Sequence, residues 1–279
     1  FLRSNDVKGQ QPYLTFVKSR LAMIDYLRTQ SHDIDIVVCT HNSTVEILEN
    51  LRPDERRFSV LYYVQDYEPF FYAAGSRARA QAERSYTALP ELQIVTKSGW
   101  NARTLATEAG VNAVTVGPSV DLDLFWPRRE CGVFGGDRAV SVAAMVRPTT
   151  PRRAPQRTYA ALRKLAQRHG RGVQVYSFGC TADELTQLSD GADPSVHHLG
   201  VLTRTEMADL LGDLDEFFDL SHFQAMGLTA IEAMASGCHV VAPTGSGASD
   251  FIHHGKNGVL VDPSDSEAVH HALDDAIQN

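Results

Sequence analysis

Short runs of apolar, β-branched residues alternate along the chain with segments whose apolar residues recur at helical spacing, the signature of parallel sheets covered by helices on both faces. In the first half the strand-like runs lie at 34–39, 59–64, 92–96 and 113–116, with a helix over 101–108 between the last two. The stretch WPRRECGVFGG, 126–136, breaks both periodicities and is rich in Pro and Gly, so it reads as linker. The pattern then restarts, with strand 139–146, helix 157–168, strand 172–178, helix 205–211, strand 216–219, helix 227–236, and strands 239–242 and 258–261. A restart predicts a second doubly wound sheet, and hence an α/β protein with one domain over 1–127, a linker over 128–138 and a second domain over 139–279. Ligands of open parallel sheets bind beyond the carboxyl ends of the strands, so two facing sheets put the expected site in a cleft between them. The chain opens on Phe1 and its first clear strand follows a helix-like stretch, so the first domain is expected to be incomplete at its start.

Composition narrows the function more than the fold. A hydrophobic fraction of 43% and a charged fraction of 22% are those of a protein able to build a core rather than of a disordered chain. The formal charge of -8 argues against a nucleic-acid partner, which needs a basic face for the phosphates. Cys39, Cys131, Cys180 and Cys238 are far apart with no CxxC pair, which suggests neither a disulfide framework nor a zinc site and fits a cytoplasmic setting. No apolar run approaches the roughly 20 residues of a spanning helix and no signal peptide is visible, so a soluble chain is expected.

The segment SHFQAMGLTAIEAMASG, 221–237, is the most informative. It follows an apolar strand, carries a glycine at a helix start, and forms a helix that Gly237 can end. Amides near Met226, Gly227 and Leu228 at such a start, together with the helix dipole, favour a phosphate. Glu232, further along the same helix, can accept from two vicinal hydroxyls, although taken alone it reads equally as an ordinary surface glutamate. A ribose beside a pyrophosphate satisfies both features. Asp33 and Asp35, and Asp121 and Asp123, imitate a metal-binding DXD, but the first pair opens a strand and the second lies at the domain exit. The pairs His197-His198, His253-His254 and His270-His271 lack a third ligand and are expected at the surface. No GxSxG or other nucleophile arrangement appears.

QAMGLTAIEAMASGCHVVAP, 224–243, resembles the donor-site signature of retaining GT-B glycosyltransferases, the large fourth family or glycosyl transferases group 1. The resemblance implies two Rossmann-like domains, an acceptor-side one followed by a nucleotide-sugar donor domain. In that signature two glutamates flank seven residues. The second, which caps the donor ribose, falls on Glu232, and the first, which contacts the donor sugar, falls on Gln224. An amide at that position can still bond a hydroxyl but cannot offset positive charge growing on the sugar. GPSVDLDLFWP resembles the segment leaving the first domain, HHLGVLTRTEMADLL the part that holds the nucleotide base, and PTGSGASDFIHHGKNGVLVDPSD a closing segment whose acidic residue, Asp250, stands near the donor sugar. In the loop RPTTPRR the resemblance assigns the donor diphosphate to Arg147 and Arg152, with Arg153 close behind. Gln65 and Asp66 take the place of a His-Asp pair at the donor, and YYVQDYEPFFYAAGS is closest in wording to bacterial rhamnosyltransferases of surface glycan synthesis.

The implied reaction is transfer of a sugar, rhamnose in the closest wording, from a nucleoside diphosphate donor to a glycan or lipid-linked acceptor with retention. It calls for no metal and no cofactor, and a lipid-linked acceptor would bring peripheral contact with the inner membrane face. A nucleotide-sugar 2-epimerase of the same fold, and a non-catalytic donor-binding half of a larger enzyme, remain as alternatives.

Overall fold

The computed structural model describes residues 17, 19–117, 119–128, 138–188 and 193–278. Its first half carries helix α1 (Arg20–Gln30), strand β1 (Ile36–Cys39), α2 (Asn42–Leu48), β2 (Ser59–Val64), α3 (Arg77–Ser85), β3 (Gln93–Thr96), α4 (Gly99–Ala109) and β4 (Val114–Thr115). These strands form a sheet in the order β1-β2-β3-β4, with β1 parallel to β2 and β3 parallel to β4. The second half carries β5 (Val140–Met145), α5 (Pro155–His169), β6 (Val173–Phe178), α6 (Ala182–Leu188), β7 (Val196–His198), α7 (Arg204–Asp213), β8 (Glu216–Phe218), α8 (Leu228–Ala235), β9 (His239–Pro243), β10 (Val259–Val261) and α9 (Ser266–Gln278).

Both expected α/β sheets are therefore present, with strand ends within two residues of the periodicity. Several helices escape the pattern for a physical reason: α3, RARAQAERS, buries only Ala82 and Ser85 and so has no apolar stripe to read. The chain divides into two compact units, residues up to Tyr63 with Glu68–Ile94, and Val64–Tyr67 with Val95 onward. Positions 129–137 of the expected linker lie outside the described residues; of its flanks, Arg128 bonds Asp209 and Arg138 bonds Asp215.

The second sheet positions the site. Its order is β10-β9-β8-β5-β6-β7, all parallel, so the winding runs outward from β5 through β6 and β7, then restarts at β8 on the other side of β5. Alternate residues feed two apolar layers. Val142, Ala144 and Phe218 pack with Tyr159, Leu162 and Leu165 of α5 and Leu273 of α9. Ala143 and Phe217 pack with Leu211 of α7 and Ala230 and Ala233 of α8. Burial on both faces explains why these strands read as continuous apolar runs.

One charged residue breaks the pattern. Glu216 opens β8, level with Val142 and His239 on the flanking strands, is 1% exposed, and neither carboxylate oxygen has a hydrogen-bond partner. Burial, helped by the negative charge of neighbouring Asp215, pushes its carboxyl well above the ordinary range. Asp215 goes the other way: burial opposes ionisation, but Arg138 and the Ser141 amide and hydroxyl hold its carboxyl below the usual value.

A raised acid pKa in the folded state means that the native protein holds a proton the unfolded chain has released. The stabilisation is complete below the unfolded pKa near 4.3 and is lost as pH rises toward the folded one. Urea midpoints across pH should show wild type losing up to about 1.4 kcal/mol per pH unit relative to Glu216→Gln within that window. Parallel pH profiles for the two proteins would mean that Glu216 does not titrate this way.

Candidate functional site

Where the winding restarts, the loops after β5 and β8 leave adjacent strand ends side by side, the position at which open parallel sheets bind ligands. The loop after β5 runs through Arg147 to a 3-10 turn, Pro151–Arg153. Ala154 follows with φ +48°, the one non-glycine residue in the left-handed region among the described residues, and Pro155 opens α5. The loop after β8 runs from Asp219 to Gly227, whose φ of +77° turns the chain into α8. The loops are laced together: the His222 amide donates to the Arg152 carbonyl at 2.8 Å, and Arg153 lies 3.6 Å from Asp219.

A cavity of about 850 Å³ opens at these loop ends, lined among others by Arg147, Arg153, Arg204, Asp121, Leu228 and Glu232, with Met145, Phe178 and Leu202 on its apolar wall. Glu232 is 4% exposed, and its carboxyl makes no hydrogen bond among the described residues. Burial pushes its carboxyl up to about 7, against the opposing charge of Arg204. A buried carboxylate facing a cavity without a partner is an arrangement that structure alone does not reward. Arg147 is exposed and has no carboxylate partner among the described residues. The amides of Met226, Gly227 and Leu228 likewise meet no acceptor there, which leaves them and the start of α8 open to an anion.

The remaining sequence-derived candidates are not among its lining residues. Arg152 turns to Asp66, 3.3 Å away, and its guanidinium stands over the Phe223 ring, while Arg153 takes the place on the cavity wall. Asp66 also accepts from the Ala225 amide at 3.0 Å. Gln65 is exposed. Gln224 is buried and donates through Nε2 to Asp219 and, at 3.0 Å, to Ser221. Asp250 accepts from the Gly99 and Trp100 amides at the start of α4 and lies 3.6 Å from Arg103, so its carboxylate is engaged in capping that helix. Of the histidines expected at the surface, His198 is instead half-buried, joined to Ser177 at 2.9 Å and to the Cys180 carbonyl at 3.1 Å.

Sequence reasoning missed Lys97 and Asp219. Lys97 follows β3, and its proximity to Asp66, Arg152 and Arg153 comes from the folding of distant segments. Burial lowers the Lys97 and Arg153 pKa values, with Asp66 and Asp219 opposing, and burial raises that of Asp66 against the pull of Arg152 and Lys97. A second cavity, about 780 Å³, is bounded by β10, α9 and His239, His254 and His271. Among the described residues no arginine lines it, and no group of three or more His, Cys, Asp or Glu could hold a metal ion.

The chain belongs to the glycosyl transferases group 1 family, which matches residues 138–279. It is similar to the O-antigen biosynthesis protein RfbC of Myxococcus xanthus, 30% identical over 218 residues that make up 78% of this chain and 16% of that protein. It is also similar to the D-inositol 3-phosphate glycosyltransferase of Mycobacterium ulcerans (strain Agy99), 30% identical over 176 residues, 59% of this chain and 37% of that one. The chain thus spans well under half the length of these curated relatives. The fold is of the GT-B kind: sucrose-phosphate synthase from Thermosynechococcus elongatus superposes with a TM-score of 0.73 at 17% identity, over 97% of this chain and 72% of that one.

The seat of the 219–227 loop rests on a glycine. A Cβ on Gly247 would lie 1.8 Å from the Ala225 carbonyl oxygen and 2.5 Å from the Met226 nitrogen, and the Gly247 amide donates to the Gln224 carbonyl at 2.8 Å. Backbone cannot yield as a flexible side chain would. Gly247→Ala is expected to cost about 1–3 kcal/mol in chemical unfolding, as other overpacked positions do. Gly172→Ala, where a Cβ meets nothing within 4 Å, serves as the control and should stay within about 0.5 kcal/mol of wild type. Equal costs at the two positions would remove the close approach as the cause.

Proposed function

We propose that this chain forms the donor site of a glycosyltransferase that moves a sugar from a nucleoside diphosphate to a hydroxyl of a glycan or lipid-linked acceptor, with retention at the anomeric carbon. The observation that carries this reading is a single cavity lined by Arg147, Arg153 and the partnerless carboxyl of Glu232. The apolar wall with Met145, Phe178 and Leu202 suits a base, Glu232 the ribose hydroxyls, and the arginines with the amides at the start of α8 the diphosphate. As the bond to the sugar breaks, negative charge builds on the leaving diphosphate, and fixed cations already in place stabilise it. The departing phosphate oxygen then takes the acceptor's proton, so neither a side-chain base nor a metal ion is required.

In this reading residues 139–279 form the donor domain and 1–127 belong to the acceptor side. Asp66 holds the Arg152 loop and the Ala225 amide, and Asp250 acts through α4. Rhamnose as the transferred sugar is supported by Gln65-Asp66 and the surrounding wording, and by likeness to a protein named for O-antigen biosynthesis. Among the described residues no helix is long and apolar enough to cross a membrane. Action at the cytoplasmic membrane face follows from a lipid-linked acceptor.

Calorimetry with free UDP, dTDP and GDP tests the ribose contact. Glu232→Ala should weaken the preferred nucleotide by about 1.5–3 kcal/mol, the range for hydrogen bonds to a charged group. The nucleotide's sugar hydroxyls, both in UDP and GDP and the 3'-hydroxyl alone in dTDP, donate to the ionised carboxylate, so wild-type affinity should climb as pH rises through about 7 and Glu232→Gln should flatten that climb. A folded Glu232→Ala protein with unchanged affinity would take Glu232 out of the ribose site.

Turnover tests the reaction. With radiolabelled dTDP-rhamnose and UDP-glucose in EDTA, wild type should transfer sugar, and Arg147→Ala should lose on the order of 100-fold in kcat with a smaller change in KM. Epimerised donor, or no turnover without a divalent ion, would overturn the reading. A rise in KM alone would confine Arg147 to ground-state binding.

A further inference from the structure

The buried polar cluster at the end of β8 has an internal logic that the charge on the arginines does not explain. Asp219 follows β8 directly. Its Oδ1 accepts from the Ser221 amide at 2.8 Å and from the Ser221 hydroxyl, and its Oδ2 accepts from Gln224 Nε2 and stands 3.6 Å from Arg153 Nη1. A carboxylate can only accept, so the single hydroxyl proton of Ser221 is committed to Asp219. That leaves the Ser221 oxygen as an acceptor, and it takes the second Nε2–H of Gln224 at 3.0 Å. Both amide protons of Gln224 are thereby used, and its Oε1 accepts from none of the described residues.

The direction of the amide is thus dictated by the network. A flipped Gln224 would set Oε1 against the Asp219 carboxylate and the lone pairs of Ser221. The main chain has no more freedom than the side chain, because the Gln224 carbonyl is bonded by the Gly247 amide at 2.8 Å.

We propose that Asp219 is a positioning residue that locks Gln224 with its carbonyl oxygen outward, so that the Asp219–Gln224 pair does the work of a single glutamate: Gln224 presents the acceptor and Asp219 holds the charge. The inference rests on the reading of this loop as part of a donor-sugar site. The ligand group it fits is a hydroxyl that donates to Gln224 Oε1; an anionic group would meet an acceptor and be repelled. The arrangement also makes the two positions interdependent. Asp219→Asn would set an amide N–H against Gln224 Nε2, so Gln224 would turn over and present donors. Gln224→Glu would press a second carboxylate against Asp219. Combining the two substitutions lets the new amide at position 219 donate to the new carboxylate at position 224 and restores an outward acceptor.

The test uses the full chain and three variants, D219N, Q224E and D219N/Q224E. Exchange of the Gln224 side-chain amide protons, followed by NMR, should be slow in wild type and fast in D219N, a readout that needs no turnover. With the preferred sugar nucleotide, each single variant should lose on the order of tenfold or more in kcat/KM, one hydrogen bond to a charged group. The double variant should recover to near the wild-type value, an interaction far larger than independent sites show. Affinity for the free nucleoside diphosphate, which has no sugar, should not fall in D219N or in the double variant, because each removes the carboxylate that stands beside Arg153.

Equal exchange in wild type and D219N, or a double variant that carries the summed losses, would overturn the positioning role. So would a parallel fall in free nucleotide affinity, since Asp219 would then act through Arg153. If wild type transfers no sugar to any acceptor offered, the proposed reaction fails, and amide exchange still decides whether Asp219 orients Gln224.

Discussion

The parallel pairing of β5 with β8 is the constraint from which the rest of the site follows. These strands are neighbours in the sheet although β6 and β7 lie between them in the chain, and helices on opposite faces must leave from their adjacent ends. The two loops diverge there and open a crevice, where unpaired amides and side chains find no sheet partner. What keeps the crevice open yet ordered is cross-bracing at its base. His222 and Arg152 share a backbone bond, Arg157 donates to the Leu220 carbonyl, and Gly247 admits the Ala225–Met226 peptide to close contact. The walls are fixed by main chain, so the side chains they carry are placed before any ligand arrives, which is the condition for electrostatic stabilisation without reorganisation.

Within that frame the charges are arranged unequally. Arg152 and Arg153 each have a carboxylate neighbour, Asp66 and Asp219, and Lys97 shares Asp66 with Arg152, whereas Arg147 has no such partner among the described residues. Burial pulls the Lys97 and Arg153 pKa values down, which means that these cations have lost hydration not fully replaced by their neighbours. A dianionic ligand would supply what the protein leaves out. The same unsatisfied character marks Glu232 with the opposite sign a few residues into α8. Its carboxyl is raised because burial desolvates it and the charge of Arg204 offsets only part of that cost.

Much of this was legible in the sequence, and the exceptions have a common origin. Five of the six strands of the second sheet could be read because burial writes an apolar run for each, whereas the edge strand β7, Val196-His197-His198, carries no such run. The helix start at Gly227 could be read because a left-handed turn before a strong helix needs glycine. The choice between Arg152 and Arg153 could not. It is decided by a 3-10 turn and by Ala154 in the left-handed region, which send adjacent side chains to different partners. That Asp250 accepts from the Gly99 and Trp100 amides at the start of α4 was equally invisible, because no local pattern joins segments so far apart. Glu216 gave no signal at all, because what isolates it is the sheet order and the layer above it. Local conformation and burial leave marks on a sequence, whereas pairings between remote segments do not.

The bonds that finish the site span very long stretches of chain. Asp66 meets the Ala225 amide across 159 positions, and Asp250 meets Gly99 across 151. Contacts of such separation form late, because the loop they close must first lose its freedom. During synthesis the strands around β5 can begin to pair while Ala225, Gly247 and Asp250 are still unmade. A nascent or truncated chain could therefore acquire much of its core and still lack an ordered anion pocket. Competence to bind in this sense arrives only once residues 225 to 250 have joined the sheet.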